Sequence, residues 1–110
     1  MTLTLALIAA PLALSAGSLD CTALYRTLDR ADRTVEKTAS LQAKGPLLEA
    51  TLAGRTFRVR EEDGSLFAQI FEPSDSAKGI SMRGTPDSEG RFSAASVDGP
   101  TVHRLDCRRF

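Results

Sequence analysis

The chain beyond Pro46 alternates apolar and polar residues with a period of two, which is typical of strands that bury one face. Turn-forming residues interrupt this alternation at Ala53-Gly54, Asp63-Gly64, 73–79, 86–90 and Asp98-Gly99-Pro100. Short alternating segments between such turns predict about six antiparallel strands that follow one another as a meander.

The turns also predict which residues lie opposite each other. A two-residue hairpin turn at Asp63-Gly64 places three pairs on one face of the sheet: Glu61 with Leu66, Val59 with Ala68, and Phe57 with Ile70. A tight turn at Ala53-Gly54 adds two pairs to that face: Leu48 with Val59 and Ala50 with Phe57. Alanine disfavours the positive φ that such a turn requires, so a bulge that shifts this register remains an alternative.

The opposite face of these strands combines arginine with aromatic and aliphatic residues. The registers place Arg60 directly across from Phe67, where an exposed cation–π contact contributes about 0.5–1 kcal/mol. Apolar surface mixed with arginine resembles the composition of protein interfaces. This pattern predicts a partner-binding surface made of Leu47, Arg58, Arg60, Phe67 and Phe71. The alternative is that the sheet curls into a barrel or sandwich and that these residues form a second core.

Residues 21–35 follow a different period. Their apolar residues recur at the i, i+3, i+4, i+7 spacing of one helix face, and they are Cys21, Leu24, Tyr25, Leu28, Ala31 and Val35. This spacing predicts an amphipathic helix that is capped by Ser18 or Asp20 and has ended by Gly45-Pro46. Asp29 and Arg33 are four residues apart and can pair on its solvated face.

The two cysteines of the sequence, Cys21 and Cys107, enclose almost the whole chain that would remain after removal of a signal peptide. Cys107 shares one side of the last strand with His103 and Leu105, so it faces the predicted core. A Cys21–Cys107 disulfide would then tie the helix to the inner face of the sheet. The predicted fold class is therefore α+β: one N-terminal amphipathic helix packed on a meandering antiparallel sheet of about five to six strands, closed by a disulfide.

Residues 1–18 have the layout of a secretory signal peptide. An apolar stretch runs from Leu3 to Leu14, small residues follow it, and every charged side chain lies at or beyond Asp20. The small residues allow cleavage after Ala16 or after Ser18. A buried first strand and an uncleaved anchor are the alternatives, since the segment lacks Lys and Arg. The expected organisation is a signal peptide over 1–18 and one small domain over 19–110, in the periplasm or outside the cell.

Net charge and the absence of known motifs limit the functions that the sequence suggests. Fourteen basic and fourteen acidic residues balance, so no global field attracts nucleic acid or an anionic membrane. His103 is the only histidine, no metal-ligand spacing or catalytic motif is present, and we expect no cofactor, no metal and no catalytic residues.

The sequence therefore predicts a small exported bacterial-type domain that binds a protein or cell-envelope component without catalysis. One alternative is an inhibitor of a secreted or periplasmic hydrolase, which would use the loops at 73–79 and 86–90. A second alternative is a small hydrolytic enzyme that uses His103, which requires the ring to lie in an open pocket beside a hydroxyl or carboxylate group.

Overall fold

The structure is a computed structural model that describes residues 19–110, except for the side chains of 76–78. All regular secondary structure in this part of the chain is β-strand, and it contains no helix. The strands are β1 (Leu19–Leu28), β2 (Thr34–Ser40), β3 (Gln42–Lys44), β4 (Leu47–Leu52), β5 (Arg55–Glu62), β6 (Ser65–Glu72), β7 (Asp75–Gly84), β8 (Arg91–Asp98) and β9 (Thr101–Arg109). The predicted signal peptide lies outside the described residues.

The strands form two antiparallel sheets that face each other across one core. The first sheet has the order β2-β1-β9-β8, and the second has the order β3-β4-β5-β6-β7. Leu41 is the single residue between β2 and β3, and its N–H donates to the carbonyl of Cys21 at 2.9 Å. One continuous segment therefore leaves the first sheet and enters the second, while the chain returns to the first sheet between β7 and β8.

The predicted N-terminal helix is wrong, and with it the α+β fold class, because residues 19–40 form strands β1 and β2. In β1 the odd-numbered residues face the core, and Cys21 and Ala23 are almost fully buried. Leu24 and Leu28 lie on the other face, where Leu24 is flanked by Thr38 and Arg104. Apolar residues on both faces of one strand hid the period of two and produced a helical spacing by coincidence.

A turn around Asp29 separates β1 from β2. The Asp29 carboxylate accepts the N–H groups of Ala31 and Arg33, at 2.8 and 2.9 Å, and Asp32 has a φ of 58°. The predicted ion pair between Asp29 and Arg33 does form, at 3.1 Å. It lies in the turn of a β-hairpin and not on the surface of a helix. Aspartate favours such turns because its side chain can replace a backbone acceptor.

Beyond Pro46 the predicted number of strands and the registers at the two tight turns are confirmed. The expected single meandering sheet is wrong, because β4–β7 belong to the second sheet whereas β8 and β9 belong to the first. Six strands follow Pro46, and all the cross-strand pairs predicted from the two tight turns occur, including Val59 with Ala68 and Leu48 with Val59. Ala53 adopts the unfavourable φ of 51° and no bulge shifts the register. The apolar pairing on the inner face therefore outweighs the local strain at this alanine.

The core lies between the two sheets. From the second sheet it receives Phe57, Val59, Leu66, Ala68 and Ile70, and from the first sheet Cys21, Ala23, Phe92, Ala94, Leu105 and Cys107. The inner faces of both sheets therefore supply one shared core.

The predicted disulfide between Cys21 and Cys107 is present, but it joins two strands of one sheet and not a helix to a sheet. The two residues lie directly opposite each other in β1 and β9, with their Cα atoms 4.0 Å apart. Their backbone groups point away from each other, since the Cys21 carbonyl bonds to Leu41. The bond therefore fastens the first and last strands of the described chain at their closest approach.

His103 is also part of the interior, with only 6% of its surface exposed. Its ring contacts Tyr25 and Phe57, with ring centroids 5.2 and 6.1 Å away, and Nε2 has no hydrogen-bond partner among the described residues. Burial lowers the pKa of His103, the Arg55 guanidinium lowers it further, and the Glu72 carboxylate raises it. The folded protein therefore favours the neutral imidazole.

Removal of the disulfide should lower stability substantially. For the Cys21→Ala, Cys107→Ala double variant we expect the free energy of unfolding to fall by up to about 4.5 kcal/mol, because the bond closes a loop of 86 residues in the unfolded chain. Urea unfolding followed by circular dichroism measures the change. The wild-type protein in reductant serves as the matched control and should approach the variant. A wild-type midpoint that is the same with and without reductant would contradict this expectation.

His103 should make stability depend on pH. Because its folded pKa is lowered, the unfolded state takes up a proton first, so stability is complete above pH 6.5, the ordinary pKa, and falls as the pH drops below that value. The carboxylates with lowered pKa values also contribute to the stability of the protein. That contribution is lost only in a more acidic window, as the pH falls below their ordinary pKa values near 4.

Thermal unfolding of wild type and His103→Phe between pH 7.5 and about pH 5 separates these effects. We expect the melting temperature of the wild type to fall over this range and that of the variant to change much less. Equal slopes for the two proteins would show that another group titrates.

Candidate binding face

The outer surface of the second sheet carries all of the predicted partner-binding residues. We call this surface the arginine–aromatic face, and it consists of Leu47, Arg58, Arg60, Phe67, Phe71 and Arg83. None of these residues belongs to the core cluster, and all are partly or fully exposed. These residues therefore do not form a second core, which was the alternative. The two sheets form their core on the opposite face.

Phe67 lies between two guanidinium groups. Arg60 on β5 and Arg83 on β7 are its two cross-strand neighbours, and their Cζ atoms lie 4.9 and 5.2 Å from the ring centroid. Glu62 joins the two arginines through contacts of 2.7 Å to Arg60 and 2.8 Å to Arg83. The pairing of the strands thus fixes a ring, two cations and a bridging carboxylate in one cluster.

A second cluster surrounds Phe71. The Arg58 guanidinium lies over this ring, 5.1 Å from its centroid, and donates from Nε and Nη2 to Glu49 at 2.8 and 2.6 Å. Lys44 donates to the other oxygen of Glu49 at 3.1 Å. Each cluster therefore has one carboxylate that holds two basic side chains in place.

The hydrogen bonds and charges of these basic groups lower the pKa values of both glutamates. Arg58, followed by Lys44, has the largest effect on the pKa of Glu49, and Arg83 has the largest effect on that of Glu62. Both glutamates are ionised at neutral pH. The four basic side chains of the clusters, Lys44, Arg58, Arg60 and Arg83, outnumber these two carboxylates, so the face has an excess of positive charge.

Gly79 shapes the surface beside Phe71. A Cβ atom at this position would lie 2.6 Å from the Ile70 carbonyl oxygen and 2.8 Å from the Phe71 Cβ, so a larger residue would displace the ring or the strand. The register of β6 and β7 shifts between Phe71 and Glu72, which brings β7 close at this point. A shallow depression of about 200 Å³ lies here, lined by Arg58, Gln69, Phe71, Gly79, Ile80 and Ser81.

Sequence reasoning missed Arg83 and Glu62 as members of this face. The segment 73–79 was expected to be a loop, which left no register for the strand after it. The turn is in fact only Pro73 and Ser74, and β7 begins at Asp75. A two-residue turn at Pro73-Ser74 would by itself pair Phe67 with Ile80. Only the register shift between Phe71 and Glu72 sets Arg83 opposite Phe67, so the turn residues alone do not predict the position of Arg83.

The alternatives find less support in the geometry. The His103 ring is buried against Tyr25 and Phe57 and not exposed in an open pocket, which the hydrolytic interpretation required. The segment 86–90 is a loop, fixed by the Asp87 carboxylate and by a 2.7 Å bond from the Arg109 N–H to the Gly90 carbonyl. The described residues contain no group of ligating side chains that could hold a metal ion.

The described residues also contain no helix that could cross a membrane. Comparison of the chain with protein-family models, with curated proteins and with solved structures gives no match.

Proposed function

We propose that this chain is a small exported domain that binds a protein or cell-envelope component, without catalysis, through the arginine–aromatic face. The observation that carries the proposal is the cluster at Phe67, in which two arginines lie against an aromatic ring outside the core. Arginine and aromatic residues are enriched in binding interfaces and dominate their energetics.

The electrostatics of the face support an acidic partner. Its basic groups exceed its carboxylates, and each arginine keeps N–H donors that Glu49 and Glu62 do not use. Carboxylate or phosphate groups of a partner are matched to such donors, while its apolar groups can contact Phe67, Phe71 and Leu47. The proposed partner surface is therefore acidic and contains apolar side chains.

Export is the second part of the proposal. The Cys21–Cys107 disulfide is compatible with an oxidising compartment, and disulfides persist outside the reducing cytoplasm. The composition of residues 1–18 agrees with a cleaved signal peptide. Together they support a location in the periplasm or outside the cell.

The binding role predicts a specific loss in a double variant. Phe67→Ser, Phe71→Ser should lose at least about 90% of the bound material captured from an envelope fraction, because binding energy concentrates in a few aromatic and arginine residues. Leu28→Ser is the matched control, since Leu28 is 44% exposed on the outer surface of the other sheet. Capture followed by mass spectrometry compares the three proteins.

Thermal unfolding of the same three proteins must accompany the capture. We expect the double variant to remain folded. If it unfolds, the two rings are required for the fold, and the binding assignment fails. If it captures the same proteins as wild type, the binding surface lies elsewhere.

Export predicts a defined mass for the purified protein. Expression in a bacterial host from Met1 should yield a chain that lacks the segment ending at Ala16 or Ser18, in which neither cysteine reacts with an alkylating reagent unless reductant is added. Intact-mass spectrometry before and after alkylation measures both properties. Retention of residues 1–18 with two reactive thiols would contradict export.

A further inference from the structure

The shallow depression beside Phe71 has the chemistry of a carboxylate-binding site. Its volume is about 200 Å³, and three of its lining residues form one row across the sheet: Arg58 of β5, Gln69 of β6 and Ser81 of β7. Side chains at directly paired positions project from the same face, with their Cβ atoms about 5 Å apart. A guanidinium, a carboxamide and a hydroxyl group therefore border one small space.

The glycine at position 79 keeps this space open. Gly79 lies directly opposite Phe71, so a side chain there would project from the outer face beside the ring. The backbone leaves no room for one, because a Cβ would lie 2.6 Å from the Ile70 carbonyl oxygen. The Phe71 ring can therefore contact the aliphatic part of a group that enters the depression.

The three polar groups of the row keep hydrogen-bond donors that the fold does not use. The Arg58 guanidinium donates from Nε and Nη2, both to one oxygen of Glu49, so Nη1 retains two N–H groups. The Gln69 carboxamide and the Ser81 hydroxyl form no hydrogen bond with any described residue. None of the residues that line the depression is an aspartate or a glutamate. The space is therefore surrounded by donors that lack an acceptor.

Glu49 does not block this site. It is paired with Arg58 from β4, whereas Gln69 and Ser81 lie on β6 and β7, on the other side of Arg58. Glu49 uses the Nε edge of the guanidinium, which leaves the Nη1 end for a second acceptor. The ion pair therefore orients the arginine without using all of its donors.

The charge of the lining residues favours an anion with a single negative charge. Arg58 is the only ionised residue among the described ones that line the depression. A carboxylate carries one charge, and its two oxygens can accept N–H and O–H groups from several neighbours at once. A phosphate monoester carries a charge of about −1.5 to −2 at neutral pH, for which these residues offer no second cation.

We propose that the depression binds the side-chain carboxylate of an aspartate or glutamate residue of the partner. The carboxylate accepts N–H groups from the Nη1 end of Arg58 and from Gln69, and it accepts the Ser81 hydroxyl, while its methylene stem packs on Phe71. This inference rests on the proposed function, because it names the group by which the acidic partner is anchored. It also adds Gln69 and Ser81 to the residues that select the partner.

A small model compound tests the site without knowledge of the partner. N-acetylglutamic acid α-methylamide carries the side-chain carboxylate, and N-acetylglutamine methylamide is its neutral match in size. We titrate each into the protein expressed as the full chain and follow the backbone amides of Gln69, Gly79 and Ser81 by proton–nitrogen NMR. Sodium chloride keeps the ionic strength constant, because salt screens exposed charges.

The two compounds should behave differently. We expect the acid to shift these amides with a dissociation constant on the order of 10 mM, and the neutral amide to bind at least about tenfold more weakly. Inorganic phosphate, the alternative oxyanion, should bind more weakly than the acid.

Variants of the row test the role of each donor. Arg58→Lys keeps the charge but removes the planar fork, and it should raise the dissociation constant of the acid about fivefold or more. Gln69→Leu and Ser81→Ala each remove one donor, and each should raise it about threefold. Leu28→Ser, on the outer surface of the other sheet, is the matched control and should bind like wild type. Thermal unfolding verifies that every variant is folded, and the exposed position of Ser81 makes Ser81→Ala the safest of them.

Three results would overturn the proposal. The first is an equal response of these amides to the acid and to the neutral amide. The second is tighter binding of inorganic phosphate than of the acid. The third is an unchanged dissociation constant in the Gln69→Leu, Ser81→Ala double variant.

The capture experiment separates this inference from the proposed function. If the Phe67→Ser, Phe71→Ser variant captures as much envelope material as wild type, the binding face fails even where the depression of the wild type binds the acid. If that variant loses capture but Gln69→Leu, Ser81→Ala captures like wild type, the face stands and the depression is not the anchor of the partner.

Discussion

The pairing of β1 with β9 is the constraint on which the rest of this sandwich depends. These strands come from opposite ends of the described chain, and their register runs from Leu19 with Arg109 to Arg26 with Val102. The disulfide locks the register at one pair, Cys21 with Cys107. A strand slipped by one residue would turn Ala23 and Leu105 to the solvent, so this single covalent contact determines which side chains enter the core from two strands at once. Because β9 pairs with β1 on one side and with β8 on the other, β8 lies at an edge of the first sheet.

The sequence allowed accurate prediction where a turn and an alternating pattern agreed. Asp63-Gly64 defines a two-residue hairpin by itself, and the apolar residues on both sides then have only one register that buries them. The arginine–aromatic rows followed directly from that register. The N-terminal part offered no comparable signal, because Leu24 and Leu28 place apolar groups on the outer face of β1, and the turn at Asp29 contains neither glycine nor proline. Local pattern thus favoured a helix, and tertiary pairing with β9 overrode it.

The cysteines illustrate the same limit in another way. Their pairing was predictable, since the sequence contains two cysteines and each could be assigned to an apolar face. Which elements they join was not predictable, because a buried position on a helix and one on a strand look alike at a single residue. A cross-strand disulfide requires the two residues to be direct neighbours in the sheet, and that information belongs to a contact between residues 86 positions apart. No local pattern contains it.

The organisation of the arginine–aromatic face bears on how it could bind without a deep pocket. Long basic side chains normally lose conformational entropy when a partner fixes them, which costs about 0.5–1.5 kcal/mol for each one. Here Glu49 and Glu62 already hold Arg58, Arg60 and Arg83 against the rings of Phe67 and Phe71. Part of that entropy is therefore lost on folding, before any partner arrives. Because a guanidinium has five N–H donors, and the glutamates use only some of them, a partner's acidic group can bind without breaking these ion pairs. In the proposed binding role, the same carboxylates that reduce the net charge of the face would also lower the entropic cost of binding to it.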